Sequence, residues 1–300
     1  MQIKRFHGIF PPLTTPFDEA GRPDLGALAY NIERYNETRL AGYVALGSNG
    51  EAVHLSASER ISVIETVKRR AAPGKTVIAG VNELSTSAAI ESTKKVFDVG
   101  ADAALVITPY FYKGSMSQAV LTRHFLEVAD KSPLPVFIYN IPQNTGVVIE
   151  PTTVAALAAH ENIIGIKDSS GDMGALSATL RLCPPGFAVL TGNGGILQPA
   201  VLMGAAGAVL AIACLIPDSC IELYEAARAG EHERARELQN RISPLSSLVT
   251  TGLGVPGLKG ALDLAGYRGG SPKAPLLPVF PEDVERINTA MRSSGFFPFN

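Results

Sequence analysis

Cysteine is scarce in this sequence. Cys183, Cys214 and Cys220 are odd in number and lack close metal-type spacing, so neither a disulfide framework nor a zinc site is indicated. An excess of positive charge is also missing. Lys and Arg total 26 against 28 Asp and Glu, a formal net charge of −2, which offers no basic field to DNA, RNA or an anionic membrane surface. The amino terminus carries Lys4 and Arg5, but Pro11-Pro12 and Asp18 follow in place of an apolar signal core and a small-residue cleavage site. A cytoplasmic location is therefore expected. One long uncharged apolar stretch, residues 200–217, approaches the length of a membrane span. It divides instead into a helix ending near Met203-Gly204 and a strand over 208–212, so no membrane partner is expected.

Hydrophobic residues make up 46% of the chain and charged residues 18%, the composition of an ordinary globular protein. Its 300 residues would make two average domains, yet α/β barrels of about 250 residues are common as one unit. The order of segments decides between them. Short β-rich runs alternate with stretches of helical period, the pattern of repeated βα units around a parallel sheet. Eight strands are predicted, over 8–15, 42–46, 76–79, 103–107, 135–139, 163–167, 188–191 and 208–212. Helical stretches include 56–70, where Ser56 and Glu59 read as a capping box, and 85–99, ending at Gly100. Eight units close into a barrel more economically than they form an open sheet with two uncovered edges. The expected fold is an α/β (β/α)8 TIM barrel, about 1–225, with a C-terminal helical extension, about 226–300, together one domain. In the extension, helices are predicted over 218–229, over 231–248 with a bend at Pro244, and over 282–292 beyond a Gly/Pro-rich passage from 252 to 278.

In such barrels the active site lies at the carboxyl ends of the strands, so unusual polar residues there are the ones to question. Lys167 ends the sixth strand, and alternation puts it on the side of Ile163 and Gly165, toward the barrel interior. Burial there strips an ammonium of water and favours the neutral amine that attacks a carbonyl carbon, which is Schiff-base chemistry. The plainer alternative is a lysine that reaches water or pairs with Asp168. Tyr139 ends the neighbouring fifth strand, where a phenol can relay protons; a core tyrosine with a satisfied hydroxyl is the alternative. The loop Gly47-Ser48-Asn49-Gly50-Glu51 offers a hydroxyl, an amide and backbone N–H groups to a carboxylate, though such residues also make ordinary turns. Thr191-Gly192-Asn193-Gly194-Gly195 follows the seventh strand, where many barrels bind phosphate, but it has no lysine or arginine to balance a phosphate, and a simple strand-to-helix turn is the preferred reading.

These residues carry a resemblance. Gly47-Ser48-Asn49-Gly50-Glu51, Thr108-Pro109-Tyr110, Tyr139-Asn140-Ile141-Pro142 with Thr145-Gly146, and Gly165-Ile166-Lys167-Asp168 resemble, in order and spacing, the motifs of the dihydrodipicolinate synthase and N-acetylneuraminate lyase family. The resemblance spans nearly the whole chain. It implies Lys167 as the Schiff-base residue, Tyr139 as the proton-transferring phenol, and Ser48 and Asn49 as the carboxylate grip. Gly192 and Leu210 match positions lining the pocket of the bound 2-oxo acid, and Tyr110 and Asn144 join the candidate substrate-binding residues. It further implies a homotetramer built from tight dimers, and no metal or organic cofactor. The cross-dimer relay phenol of many relatives aligns with Phe111, so Tyr110 or Tyr112 would have to replace it, or the enzyme works without it.

Two departures point within the family. Synthases that make the lysine precursor usually read Gly-Thr-Thr-Gly-Glu in the loop and carry an arginine where this chain has Asn144. Ser48-Asn49, Asn144, Lys113-Gly114-Ser115-Met116-Ser117 and Gly254-Val255-Pro256-Gly257-Leu258-Lys259 look more like the 4-hydroxy-2-oxoglutarate aldolases. The expected activity is class I aldol cleavage of 4-hydroxy-2-oxoglutarate to pyruvate and glyoxylate. The alternative is dihydrodipicolinate (4-hydroxy-tetrahydrodipicolinate) synthesis from pyruvate and aspartate semialdehyde, with a sugar-acid dehydratase or aldolase behind it. A barrel that has lost catalysis and serves as a sensor or assembly subunit is a reading of another class, and Lys167, Tyr139 and Ser48 together count against it.

Overall fold

A computed structural model describes residues 6–297. The chain alternates β1 (Gly8–Phe10), α1 (Leu25–Asn36), β2 (Gly42–Ala45), α2 (Ala57–Arg70), β3 (Thr76–Val81), α3 (Thr86–Asp98), β4 (Ala103–Ile107) and α4 (Gln118–Lys131). It continues through β5 (Val136–Asn140), α5 (Pro142–Thr145), α6 (Pro151–Leu157), β6 (Ile163–Asp168), α7 (Met173–Leu182), β7 (Ala188–Thr191), α8 (Leu197–Leu202), β8 (Gly207–Val209) and α9 (Pro217–Ala229). The extension adds α10 (His232–Ser246), α11 (Gly254–Leu264) and α12 (Pro281–Ser294). The eight strands are all parallel, in the order β1-β8-β7-β6-β5-β4-β3-β2. Between the two outer strands the barrel closes through Ala41 N–H to Ile9 O (3.0 Å), Val44 N–H to Pro11 O (3.0 Å) and Leu13 N–H to Val44 O (2.9 Å). The expected (β/α)8 barrel with a helical C-terminal part is the fold observed.

Local chemistry accounts for the elements. Buried on both faces, the strands are nearly continuous apolar runs, as parallel sheets require. The capping box starts α2 as predicted: Ser56 N–H donates to Glu59 Oε2 (2.8 Å) and Glu59 N–H to Ser56 Oγ (3.3 Å). Phe10, Val44, Ile78, Leu105, Phe137 and Leu190 belong to the apolar cluster that fills the barrel, and Phe6 meets Phe137 edge to face at 5.2 Å in that same cluster. A larger cluster lies between the strands and the helices.

Several boundaries depart from expectation. The first strand stops at Phe10 instead of Thr15, because Pro11 and Pro12 have no N–H for a ladder; their stretch still accepts bonds from β2. The eighth ends at Val209 instead of Ile212, and residues 211–214 form a 3-10 turn. Ile163 is not on the Lys167 side. The β5–β6 register slips between Val136 and Phe137, which puts Ile163 in the outer cluster and Ile164 in the inner one. The 252–278 passage contains the unpredicted helix α11. Its proline, Pro256, lies in the first turn where an N–H has no helical partner, and Gly257 is needed because a Cβ there would lie 2.3 Å from Leu253 Cβ. The helix predicted to bend at Pro244 runs through it to Ser246 and then widens into a π-helical turn over Ser247–Gly252.

Candidate active site

The carboxyl ends of the strands open into a cavity of about 1090 Å³. Lys167 and Tyr139 are register partners on β6 and β5, so their side chains leave the sheet on one face, toward the cavity. Both are buried, at 4% and 2% exposed, with Lys167 Nζ 4.0 Å from the centre of the Tyr139 ring. The pairing of Lys167 with Asp168 does not occur. Asp168 takes Asn140 Nδ2 (2.7 Å) on one carboxylate oxygen and Ser170 N–H (2.8 Å) on the other. Lys167 thus stands inside the barrel with no carboxylate among the described residues hydrogen-bonded to it.

The Tyr139 hydroxyl lies 2.9 Å from Ser48 Oγ. Ser48 comes from a 3-10 turn over Ser48–Gly50 that follows β2, closed by Gly50 N–H to Gly47 O (3.0 Å) and Glu51 N–H to Ser48 O (3.1 Å). Leu46, just before this loop, has φ 58, a conformation that costs a branched residue of order 1–3 kcal/mol; its carbonyl is tied to Asn82 Nδ2 at 2.9 Å. Such strain is maintained only where surrounding structure fixes it, and here it turns Ser48 and Asn49 into the cavity. The loop is thereby aimed at the same space as the amine and the phenol.

The other sequence candidates are placed unevenly. Tyr110, Asn144 and Gly192 line the same cavity as Lys167, Tyr139, Ser48 and Asn49. Gly192 N–H donates to Asp168 O (2.6 Å), which ties the seventh strand's loop to the strand that bears the lysine. Leu210 does not line the cavity: β8 has ended at Val209, the chain turns, and Leu210 packs at 1% exposure into the outer cluster while Val209 and Ala211 face the cavity. Phe111 and Tyr112 are 71% and 73% exposed, their rings edge to face at 5.0 Å, beside the cavity-lining Tyr110.

Sequence reasoning missed one wall entirely. Ser243, Ser246, Ser247, Thr250 and Thr251, from α10 and the π-turn, line the cavity opposite the strands. Their only sequence signal is five hydroxyls in nine residues, and their approach to the barrel depends on how the extension packs. Ser169, next to Asp168, and Asn82, just after β3, also line it. Among the described lining residues Lys167 is the one lysine, and no arginine is present. The arrangement provides a buried amine, a phenol in hydrogen-bond contact with a hydroxyl, and a polar, largely uncharged chamber above them. It can form an imine with a small oxo acid and move protons to and from it.

Comparison with known proteins agrees with this geometry. The Dihydrodipicolinate synthetase family matches residues 5–293. A 4-hydroxy-tetrahydrodipicolinate synthase of Methanospirillum hungatei is 35% identical over 289 residues, 95% of this chain and 98% of that protein. The crystal structure of dihydrodipicolinate synthase from Aquifex aeolicus superposes with a TM-score of 0.91 at 32% identity, covering 97% of this chain and 99% of that one. A prophage protein of the dihydrodipicolinic acid synthase family from E. coli K12, solved in complex with pyruvate, superposes with a TM-score of 0.91 at 29% identity, covering 97% and 99%. These relatives give no support to the 4-hydroxy-2-oxoglutarate aldolase branch expected from the loop and Asn144. By the match along almost its whole length, the chain belongs to the dihydrodipicolinate synthetase family, whose members are pyruvate-dependent lyases and synthases of the Schiff-base class.

Proposed function

We propose that this enzyme condenses pyruvate with aspartate semialdehyde to 4-hydroxy-tetrahydrodipicolinate, through an imine on Lys167. The observation that carries the first half is the buried pair of Lys167 Nζ and Tyr139 with Ser48 beside it, the phenol 2.9 Å from the hydroxyl. The second half rests on the relatives' names. Lys167 Nζ attacks the keto carbon of pyruvate; the N–C bond forms, the carbonyl oxygen takes up protons through Tyr139 and leaves as water, and an iminium remains. Loss of a methyl proton gives the enamine, which attacks the aldehyde carbon. The new alkoxide is protonated through the Tyr139–Ser48 pair; the amine of the aspartate semialdehyde portion then attacks the iminium carbon, which closes the ring, and the bond to Lys167 Nζ breaks as the lysine leaves as a free amine. Ser48, Asn49 and their backbone N–H groups hold the pyruvate carboxylate, which suits a cavity with no arginine among its described lining residues. The homotetramer is likewise a proposal, with exposed Val53, Phe111 and Tyr112 beside the cavity as surface that a second copy would cover.

A second reading, cleavage of 4-hydroxy-2-oxoglutarate to pyruvate and glyoxylate, is favoured by Asn144 lining the cavity without an arginine. The two are separated by steady-state kinetics on both substrates with wild type and Asn144→Arg. The synthase reading expects the higher kcat/KM with aspartate semialdehyde. It also expects Asn144→Arg to raise that value roughly tenfold to a hundredfold, the worth of a charge-assisted bond of about 1.5–3 kcal/mol. Faster wild-type cleavage of 4-hydroxy-2-oxoglutarate would overturn it in favour of the second reading.

A further inference from the structure

The loop that carries Ser48 and Asn49 is held from the far end of the chain. Glu51, whose backbone N–H closes the turn onto Ser48 O, sits at φ 53 between two 3-10 turns. Its side chain is 1% exposed and lies 2.6 Å, by Oε1, from the ammonium of Lys259 on α11, which is also 1% exposed. Glu51 Oε2 accepts the Lys273 backbone N–H at 2.7 Å. Lys259 Nζ donates to Ser271 O (2.9 Å) and lies 4.4 Å from the Phe17 ring centre. Burial draws the Lys259 amine below its ordinary pKa, and the Glu51 carboxylate opposes that shift.

A buried ion pair of this kind seldom stabilises a fold more than a well-packed apolar pair of similar volume, because desolvation offsets the attraction. What it does supply here is direction. The Glu51 carboxylate is fixed at both oxygens by the C-terminal part of the chain, and the Glu51 backbone is hydrogen-bonded to the residue that touches Tyr139. A small rotation of Glu51 would therefore turn Ser48 and Asn49 relative to the amine. Of the two partners, Lys259 is the one whose chain position has no other connection to the chemistry: it does not line the cavity.

We propose that Lys259 is a positioning residue that, through Glu51, holds the Ser48-Asn49 loop in register with Lys167 and so sets the affinity for the 2-oxo acid. The proposal rests on the reading of that loop as the carboxylate grip of a Schiff-base enzyme. Its test uses the full-length chain as wild type, as the double variant Glu51→Gln/Lys259→Met, which removes both charges at nearly constant volume, and as Lys259→Gln, with folding checked by circular dichroism. The readouts are the pyruvate concentration giving half-maximal borohydride-trapped adduct on Lys167, and KM for pyruvate against KM for the aldehyde and kcat. A folded variant should need at least tenfold more pyruvate in both readouts, with aldehyde KM changed less than twofold. An unmoved pyruvate requirement, a parallel rise in both KM values, or failure of both variants to fold would overturn the proposal and leave the pair purely structural. Absence of adduct in wild type would instead overturn the Schiff-base reading itself, so the two failures are distinguishable.

Discussion

Lys167 and Tyr139 meet because residues opposite each other in a parallel ladder project from the same face, and Ser48 completes the group because a strained turn after β2 brings its hydroxyl to the phenol. Tyr139→Phe keeps the ring against Lys167 and removes the proton-bearing oxygen. It should fold normally and lose about 10² to 10⁴ in kcat, with pyruvate binding affected less; near-normal turnover would make Tyr139 a packing residue. His124 gives a second prediction at this scale. It is buried on α4, with Nδ1 2.9 Å from Thr86 Oγ1, and burial lowers its pKa from 6.5 to about 4. Between those values the unfolded chain takes up a proton that the folded one refuses. Stability from this group is thus fully present above pH 6.5 and is lost as pH falls toward 4, by about 3 kcal/mol in all. Urea unfolding at pH 7 and pH 4.5 should show a smaller loss for His124→Gln than for wild type, and equal losses would contradict the assignment. At this scale Lys167, Tyr139 and the Ser48 loop were legible because they end strands. Leu210 and Ile163 were misplaced because one lies just past a strand end and the other beside a register slip, and neither event leaves a mark in the alternation of side chains.

Elements were legible where local chemistry dominates. The capping box of α2 and the glycine that ends α3 are recorded in the residues themselves. The missed helix α11 shows the limit: Gly254, Gly257 and Gly260 read as breakers, whereas Gly257 and Gly260 are there to make room for Leu253 and Val279. The same packing logic makes a prediction on β6. A Cβ at Gly165 would lie 2.4 Å from both Phe137 Cε1 and the Ala188 carbonyl oxygen. One of these is backbone and cannot turn away, so Gly165→Ala should destabilise by at least about 1–3 kcal/mol, read as a lower urea midpoint. It should also reduce activity in the protein that remains folded, since Gly165 stands two residues before Lys167. An unchanged midpoint would mean that the β5–β6 ladder can shift to admit a methyl group.

For the whole molecule, the count of βα units decided the architecture, because eight parallel strands have no exposed edge only when closed. What the count could not convey is that the C-terminal helices take part in the site. They provide the hydroxyl wall of Ser243, Ser246, Ser247, Thr250 and Thr251, held by α10 against the loop after β7, and the Lys259 partner of Glu51, and neither contact is local in sequence. The barrel therefore holds the amine and the phenol, while the chamber in which they act is completed by the end of the chain. The claim on which the rest depends is that Lys167 is the nucleophile. It is tested most directly by incubating the enzyme with pyruvate and borohydride and locating the adduct by peptide mass spectrometry: one reduced pyruvate group per chain, on Lys167 and absent from Lys167→Ala, is the predicted result. Labelling of a different lysine, or no adduct under conditions that trap a control aldolase, would contradict it.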